Sequence, residues 1–401
     1  MTTPRTIVEV HVLQTVPPSN LNRDDTGTPK SAVYGGVRRA RVSSQAWKRA
    51  TRRAFQDILD PQDLGVRTRR LAELLGGHIR DLDESISEAD AWALAAETIT
   101  AATGAKVEPP KRNAKDAKDG KPEPAPEGKY LIFLSARQLD ALAELAVQGR
   151  DDIKAFFKEK ENKAAAKQYA NSRHSIDIAL FGRMVADNTD INVDAAAQVA
   201  HAISVHRADV ESDYYTAVDD HKEREEDDKG AGMIGTVEFN SATLYRYAAL
   251  DVDLLRKNLG KGLREDEPLD TPVRRAVEAF VLGFTESLPT GKINTFGHHT
   301  LPDAVVVKLR SSRPVNFVSA FERPCQADQD TGGHVREASE RLAKHIPAIE
   351  TAFGVDEDTL TWVTRAGDDT QALAALGTEL PLRDAVTAVG AEVERRQNGS
   401  A

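Results

Sequence analysis

The chain has 401 residues, of which 40% are hydrophobic and 29% are charged, a composition typical of a soluble globular protein with one complex domain or two. Its single cysteine, Cys325, excludes an internal disulfide and a cysteine-based zinc cluster, and only 5% of the residues are aromatic. We find no apolar run of membrane-spanning length and no signal peptide in MTTPRTIVEV, so we expect a cytoplasmic protein.

The first predicted unit, residues 1–60, is a strand, a long loop and a helix. Residues 6–15, TIVEVHVLQT, alternate apolar and polar side chains, which predicts a β-strand that ends at Pro17-Pro18. Ser43 or Ser44 can cap the helix, whose apolar residues recur at helical spacing.

A basic stretch fills the loop and this helix. Residues 20–55 contain nine basic and two acidic side chains, a net charge of +7 in a chain of net charge −10. Lys48 and Arg52 are four residues apart, as are Arg49 and Arg53, and like charges at that spacing destabilise a helix. The pattern predicts an anionic ligand or partner, the alternative being a solvated basic face.

Gly35-Gly36 lies ahead of the helix and offers backbone N–H groups that a phosphate can approach closely. Together with the basic helix, this favours nucleic acid as the ligand.

The remaining elements continue in chain order. Residues 61–174 read as a helical insertion that contains a mobile loop at about 105–129, rich in Lys, Pro, Gly and Asp. The other predicted elements are a strand at 175–184, a helix at 194–207, a polar segment at 209–235, a strand at 238–250, a helix at 271–288 and a strand at 302–310.

Without its insertions, the chain has the order β–α–β–β–α–β. This predicts an α+β fold of the ferredoxin-like kind, which is also the order of the RNA-recognition motif. One insertion separates the first helix from the second strand, and the other replaces the β2–β3 turn. The predicted domain parts are 1–60, 61–174, 175–207, 208–236 and 237–401, the last with C-terminal additions whose role the sequence leaves open.

Three groups of residues are candidates for chemistry. Asp24-Asp25 either hold a metal ion, as in a nuclease, or instead orient Arg23 or cap their loop. His298-His299 either act as general acid and base on RNA or make local contacts. His201 and His206 read as core or surface histidines.

Four segments carry a resemblance to a known family. They are VHVLQTVPPSNLNRDDTGTPKSAVYGGVRRARVSSQAWKRATRR, SIDIALFGRM, SDYYTAVDD and GTVEFNSATLYRYA. In this order they resemble the CasC/Cse-type backbone subunits (Cas-seven family) of type I-E CRISPR Cascade, over the first three fifths of the chain.

The resemblance implies a non-catalytic protein without a cofactor. Copies of it would stack head to tail along a CRISPR RNA, with other Cascade subunits, and present the guide for pairing with target DNA in antiviral defence. The βαββαβ core would be the palm, residues 61–174 the fingers and residues 208–236 the thumb.

The resemblance also implies which residues bind. In the thumb, Tyr214, Tyr215 and Thr216 would displace a base, although the two tyrosines alternatively anchor the segment to the core. Met184 would lie near the RNA, and Lys111, Arg112, Lys115, Lys118 and Lys121 of the mobile loop would contact target DNA. The RNA backbone would contact Arg23, Lys30, Arg38, Arg39, Arg41, Ser43, Gln45, Lys48, Arg49 and Arg52.

Two other functions remain alternatives. One is an endoribonuclease on the same fold, dependent on a metal or on histidine. The other is a structural protein whose basic helix docks on an acidic partner subunit.

Overall fold

The computed structural model describes residues 5–109, 124–185, 189–217, 233–260, 268, 271–329, 332–355 and 358–398. Its strands are β1 (Ile7–Ser19), β2 (Ser31–Tyr34), β3 (Val37–Val42), β4 (Gly65–Thr68), β5 (Val107–Glu108), β6 (Glu127–Gly128), β7 (Ile132–Ser135), β8 (Ala197–Val199), β9 (Ala202–Ser204), β10 (Glu211–Ala217), β11 (Met233–Asp251), β12 (Ala304–Arg310), β13 (Leu360–Arg365) and β14 (Thr378–Glu379).

Its helices are α1 (Ser44–Ile58), α2 (Leu71–Leu82), α3 (Glu88–Thr103), α4 (Ala136–Gln148), α5 (Ile153–Phe156), α6 (Lys160–Ala170), α7 (Ile176–Phe181), α8 (Val252–Leu259), α9 (Thr271–Glu286), α10 (Ile293–Phe296), α11 (Val335–Phe353) and α12 (Leu382–Asn398). Within the described chain, no helix is both long and apolar enough to cross a bilayer.

A ten-stranded sheet organises the fold. Its main path runs β14-β13-β12-β1-β11-β9-β3-β2, and β8 and β10 pair with β11. β1 and β12 are antiparallel, with Val10 opposite Val307. Every residue of β12 is buried, as expected for a strand covered on both faces. The predicted α+β class is confirmed.

The chain divides into two compact units. The first comprises Met1–Ala54, Gln198–Ala249 and Phe280–Glu392, and its core joins the sheet to α11 through residues such as Ile7, Val306 and Leu342. The second comprises Phe55–Ala197, Leu250–Ala279 and Val393–Ala401. Its core comes from the packed faces of α2, α3, α4 and α6.

Several predicted elements are confirmed. The first strand, the basic helix, the strand at 238–250, the helix at 271–288 and the strand at 302–310 coincide with β1, α1, β11, α9 and β12. The helices predicted in 61–174 correspond to α2 through α6. The proposed domain boundaries stay predictions.

Two predictions between 175 and 207 are wrong. Residues 176–181 form the helix α7 rather than a strand, and Asp177 at its start accepts hydrogen bonds from its own first turn and from Gly65 N. Residues 197–199 and 202–204 are strands rather than one helix. β9 pairs with both β3 and β11, so sheet pairing overrides the helical propensity of this alanine-rich segment.

The first strand and the loop after it also differ from prediction. β1 continues through Pro17-Pro18 to Ser19, because both prolines lie beyond Leu13, the last residue of β1 that pairs with β12. Within the predicted loop, β2 and β3 form a hairpin whose two-residue turn is Gly35-Gly36, both with positive φ. Such a turn requires glycine-like conformations, so this pair has a structural role.

Candidate nucleic-acid interface

Residues 20–30 form a closed loop in the first unit. Asn20 Nδ2 donates to Gly27 O at 3.0 Å and to Glu238 O at 2.9 Å, which ties the loop to β11. An isolated bridge joins Arg23 to Pro29, and the Arg23 side chain is exposed. The loop therefore holds an exposed cation on an ordered backbone.

Asp24 closes this loop from within. Its Oδ1 accepts from Thr26 Oγ1 at 2.7 Å and from the backbone N–H groups of Thr26 and Thr28 at 3.0 Å. The side-chain hydrogen bond from Thr26 lowers the pKa of Asp24 despite slight desolvation, and the backbone bonds add to the effect. The loop-capping interpretation of Asp24 thus accounts for its carboxylate.

The β2–β3 hairpin separates its arginines by face. Neighbouring residues in a strand point to opposite sides, so Arg38 is exposed while Arg39 is fully buried. Arg39 donates to the carbonyl oxygens of Ser204 and Phe321, each at 2.9 Å, and also to those of Tyr34 and Glu322. Its inclusion among the RNA-binding residues is therefore corrected: Arg39 links the hairpin to the core.

Arg41 lies on the same strand but reaches the surface. Its Nε donates to Ser31 O at 3.3 Å, and its Nη1 lies 3.0 Å from His201 Nδ1. His201 is exposed, and the pKa of its imidazole is lowered by partial burial and by the charges of Arg41 and Lys30. His201 therefore lies within the basic surface, a placement that its spacing from His206 did not predict.

The start of α1 is fixed by Ser43 and Asn22. Ser43 Oγ accepts from Ala46 N at 3.3 Å, as predicted for a cap, and Ser43 N donates to Asn22 Oδ1 at 2.9 Å. Gln45 is exposed at the first turn. The cap thus connects the helix to the basic loop.

α1 is anchored through its buried face. The Trp47 ring is fully buried beneath the Arg246 guanidinium, 3.8 Å from the ring centroid, and Arg246 donates to Gln14 Oε1 at 2.5 Å. Complete burial lowers the pKa of Arg246 to about 9. Because Trp47 is held in this way, the opposite face of α1 is presented outward.

The outward face of α1 carries Lys48, Arg49, Arg52 and Arg53. Arg49 and Arg53 are exposed, Lys48 and Arg52 are half-buried, and burial lowers the pKa of Lys48. In the part of the chain that the structure describes, no ion pair to an acidic side chain involves Arg23, Lys30, Arg38, Lys48, Arg49 or Arg53.

A small, partly open groove in the first unit is lined by twelve residues, among them Lys30. Lys30 and Arg41 line one part of it, and Ser19, Asn22 and Asn240 supply uncharged polar groups. The other seven lining residues are apolar. The two cations and three polar residues suit a phosphate group, which is recognised through charge and hydrogen bonds.

The predicted thumb contains a two-stranded ribbon. β10 pairs with β11 in the register Tyr214 to Thr236 and Tyr215 to Gly235. A Cβ on Gly235 would lie 2.5 Å from Tyr215 Cζ, so the Tyr215 ring covers this glycine. Tyr214 is on the opposite face and is 72% exposed, which makes it the more accessible ring.

Other predicted site residues fall in different situations. Met184 is 83% exposed after α7. Thr216 belongs to β10, but its side chain is not described. The central part of the predicted mobile loop lies outside the described residues, and with it Lys111, Arg112, Lys115, Lys118 and Lys121.

The two histidines at 298–299 differ in burial. His298 is buried, with Nε2 3.1 Å from Pro289 O, and burial lowers the pKa of its imidazole, whereas His299 is exposed. The described residues include no group of three or more His, Cys, Asp or Glu side chains placed to hold a metal. The two histidines therefore do not face a common substrate position.

Comparison with known proteins identifies the family. Residues 8–388 match the model of the CT1975-like protein family, whereas no curated protein matches the chain. A chain of a solved CRISPR RNA-guided surveillance complex, described as pre-nicking, is 31% identical with a TM-score of 0.78, covering 96% of this chain and 100% of that one. A chain of another solved CRISPR RNA-guided surveillance complex is 28% identical with a TM-score of 0.69, covering 95% and 99%. Since the family match spans nearly the whole sequence, the chain belongs to the CT1975-like protein family.

Proposed function

We propose that the chain is a non-catalytic backbone subunit that binds CRISPR RNA in a surveillance complex, and that it is of the Cas-seven type in a type I-E Cascade. Support comes from the likeness to chains of two solved CRISPR RNA-guided surveillance complexes over at least 95% of this sequence. The sequence motifs of the basic loop, hairpin and helix support the finer assignment to type I-E.

The observation that carries the proposal is the set of surface cations without acidic partners. Arg23, Lys30, Arg38, Lys48 and Arg49 lie on a net-acidic chain, yet the described structure pairs none of them with a carboxylate. Cations left in this state are available to an external polyanion. Contacts of this kind follow phosphate charge and geometry, which suits a strand whose sequence varies.

The ribbon supplies a second kind of contact. Tyr214 would wedge between bases or stack on one, and Tyr215 would stiffen the ribbon by covering Gly235. Thr216 and Met184 would lie near the same strand of RNA.

Assembly is the third part of the proposal. The neighbouring strands β12, β1, β11 and β9 support a ferredoxin-like palm, in which the first and last strands of the βαββαβ unit lie side by side. Copies would stack head to tail on one RNA, a heterologous contact that extends as a filament. The lysines at 111–121 would contact target DNA, and the assembly would act in the cytoplasm.

Neither alternative function gains a supporting observation. Asp24 Oδ1 accepts hydrogen bonds from its own loop, and the His298 ring faces the backbone of Pro289. Docking on an acidic subunit would use the same cations. The presence or absence of RNA in the purified chain distinguishes that function from RNA binding.

The test is whether the purified chain carries RNA. We expect nuclease-sensitive absorbance at 260 nm from RNA of defined length, and we expect labelled RNA to stay intact with and without magnesium. Purification without nucleic acid, together with no binding of added RNA, would overturn the proposal. Magnesium-dependent cleavage would favour the ribonuclease instead.

A further inference from the structure

His201 joins the basic surface as a group that can change its charge. It lies in the turn between β8 and β9, and it approaches Arg41 because β9 pairs with β3 in the register Arg41 to Ile203. Arg41 Nη1 is 3.0 Å from His201 Nδ1. A guanidinium only donates, so Nδ1 must be the acceptor and must carry no proton in this arrangement.

The charges that face His201 are both positive. Arg41 on β3 and Lys30 on the basic loop oppose protonation of the imidazole, and no acidic group is found to act on it within the described chain. After partial burial, these two cations lower the pKa of His201. The RNA-free protein therefore keeps His201 neutral at neutral pH.

We propose that a phosphodiester bound between Lys30 and Arg41 draws a proton onto His201, so that RNA binding takes up a proton and strengthens as the pH falls. This inference rests on the proposed function. The anion offsets the two positive charges, which removes the electrostatic repulsion that an imidazolium would meet beside them. The proton comes from solvent, the Arg41–Nδ1 hydrogen bond breaks, and Nδ1–H then donates to a phosphate oxygen.

The groove favours this role for His201. Lys30 and Arg41 both line it, so a strand in the groove would bring a phosphate within reach of the pair. Arg41 keeps its bond to Ser31 O when it releases His201, so the guanidinium stays on the hairpin. His201 thus acts as a pH-dependent third member of one phosphate site.

The experiment measures affinity for an oligouridylate against pH at fixed ionic strength. For the intact protein, we expect binding to tighten about fivefold from pH 8 to pH 6, since an upward shift of one pKa unit is worth at most about tenfold. His201→Asn retains an acceptor for Arg41 but cannot be protonated, so its affinity should not change over this range. The matched control, His78→Asn, removes a histidine of α2 whose Nδ1 lies 2.8 Å from Asp140 Oδ1, and it should keep the wild-type pH profile.

Calorimetry in two buffers of different ionisation enthalpy provides the second readout. The wild type should take up a fraction of a proton on binding RNA, and His201→Asn should take up less. Equal pH profiles and equal proton uptake for these two proteins would overturn the role of His201 while leaving RNA binding intact. A wild type that binds no RNA at any pH would overturn the proposed function and this inference together.

Discussion

Lys48 and Arg49 of α1 differ from three cations of the helical second unit. In the second unit, Arg70 Nη2 lies 2.5 Å from Glu73 Oε2, Lys154 Nζ lies 3.5 Å from Glu97 Oε1, and Arg150 pairs with Asp83. On α1, neither Lys48 nor Arg49 has an acidic partner in the described structure. Surface ion pairs contribute little to stability, so the difference is in availability: Lys48 and Arg49 remain open to an external anion, whereas these three cations have acidic partners.

The largest effect should come from reversing charge on α1. Lys48→Glu with Arg52→Glu removes two cations and adds two anions on one face, so RNA affinity should fall about a hundredfold or more. The double variant Lys163→Glu/Lys167→Glu is the matched control, because these lysines are also four residues apart and exposed, on α6. Fluorescence anisotropy measures both, and urea unfolding should show that both remain folded. Equal losses of affinity in the two variants would show that α1 has no special role.

Arg38 and Arg39, neighbours in β3, should affect stability and RNA binding in opposite ways. Arg39→Leu would leave buried carbonyl oxygens unpaired, so we expect the free energy of unfolding to fall by about 3 kcal/mol with no change in the salt dependence of RNA binding. Arg38→Leu should do the reverse, with little effect on stability and a weaker salt dependence. Urea unfolding and RNA titrations distinguish them, and identical behaviour of the two variants would contradict the assigned roles.

A buried histidine of the first unit makes stability depend on pH. His206 Nε2 lies 3.1 Å from Thr243 N, from which it accepts, and burial lowers the pKa of His206 to about 4. The unfolded chain therefore binds a proton more readily, so this stabilisation is complete above about pH 6.5, falls between about pH 6.5 and pH 4, and is about 2 kcal/mol smaller at pH 5.

Urea unfolding from pH 7.5 to pH 5 checks this, with His206→Gln as the variant and His78→Asn as the surface control. The wild type and the control should lose more stability on acidification than His206→Gln. Equal losses in all three proteins would refute the role of His206.

The smallest of these effects concerns the ribbon. Tyr214→Ala should weaken RNA binding by about tenfold if its exposed ring stacks on a base, and Tyr214→Phe should bind as the wild type does. Tyr215→Ala should lower stability more than affinity, because Tyr215 covers Gly235. If Tyr215→Ala had the larger effect on affinity, Tyr215 rather than Tyr214 would be the ring that stacks on a base.

The sequence was sufficient where a local pattern and the final environment agree. The alternation in β1 and the apolar spacing of α1 from Trp47 both correspond to buried faces. It misled where long-range pairing decides the structure. The alanine-rich segment at 194–207 has helical propensity, but β9 is held between β3 and β11 by residues distant in sequence.

The candidate site was predicted as a set but not member by member. Arg38, Arg39 and Arg41 look equivalent in a basic run, and only the strand and its partner Ser204 show that Arg39 is interior. The signal was present in Gly35-Gly36 between SAVY and VRRARV, two segments of strand length, which is typical of a hairpin and would have implied alternate faces. His201 gave no such signal, because its contact with Arg41 depends on pairing across 160 residues.

The salt dependence of RNA binding tests the central claim most directly. Lys48→Gln, Arg49→Gln and Arg52→Gln are to be measured singly and together, with Lys163→Gln as the control, as the slope of log affinity against log salt concentration. If these side chains contact phosphates, each single change flattens the slope by about 0.7, the triple change flattens it by about 2, and the control leaves it unchanged. A triple variant with the wild-type slope would contradict the account, because the cations on the outward face of α1 would then not be those that bind RNA.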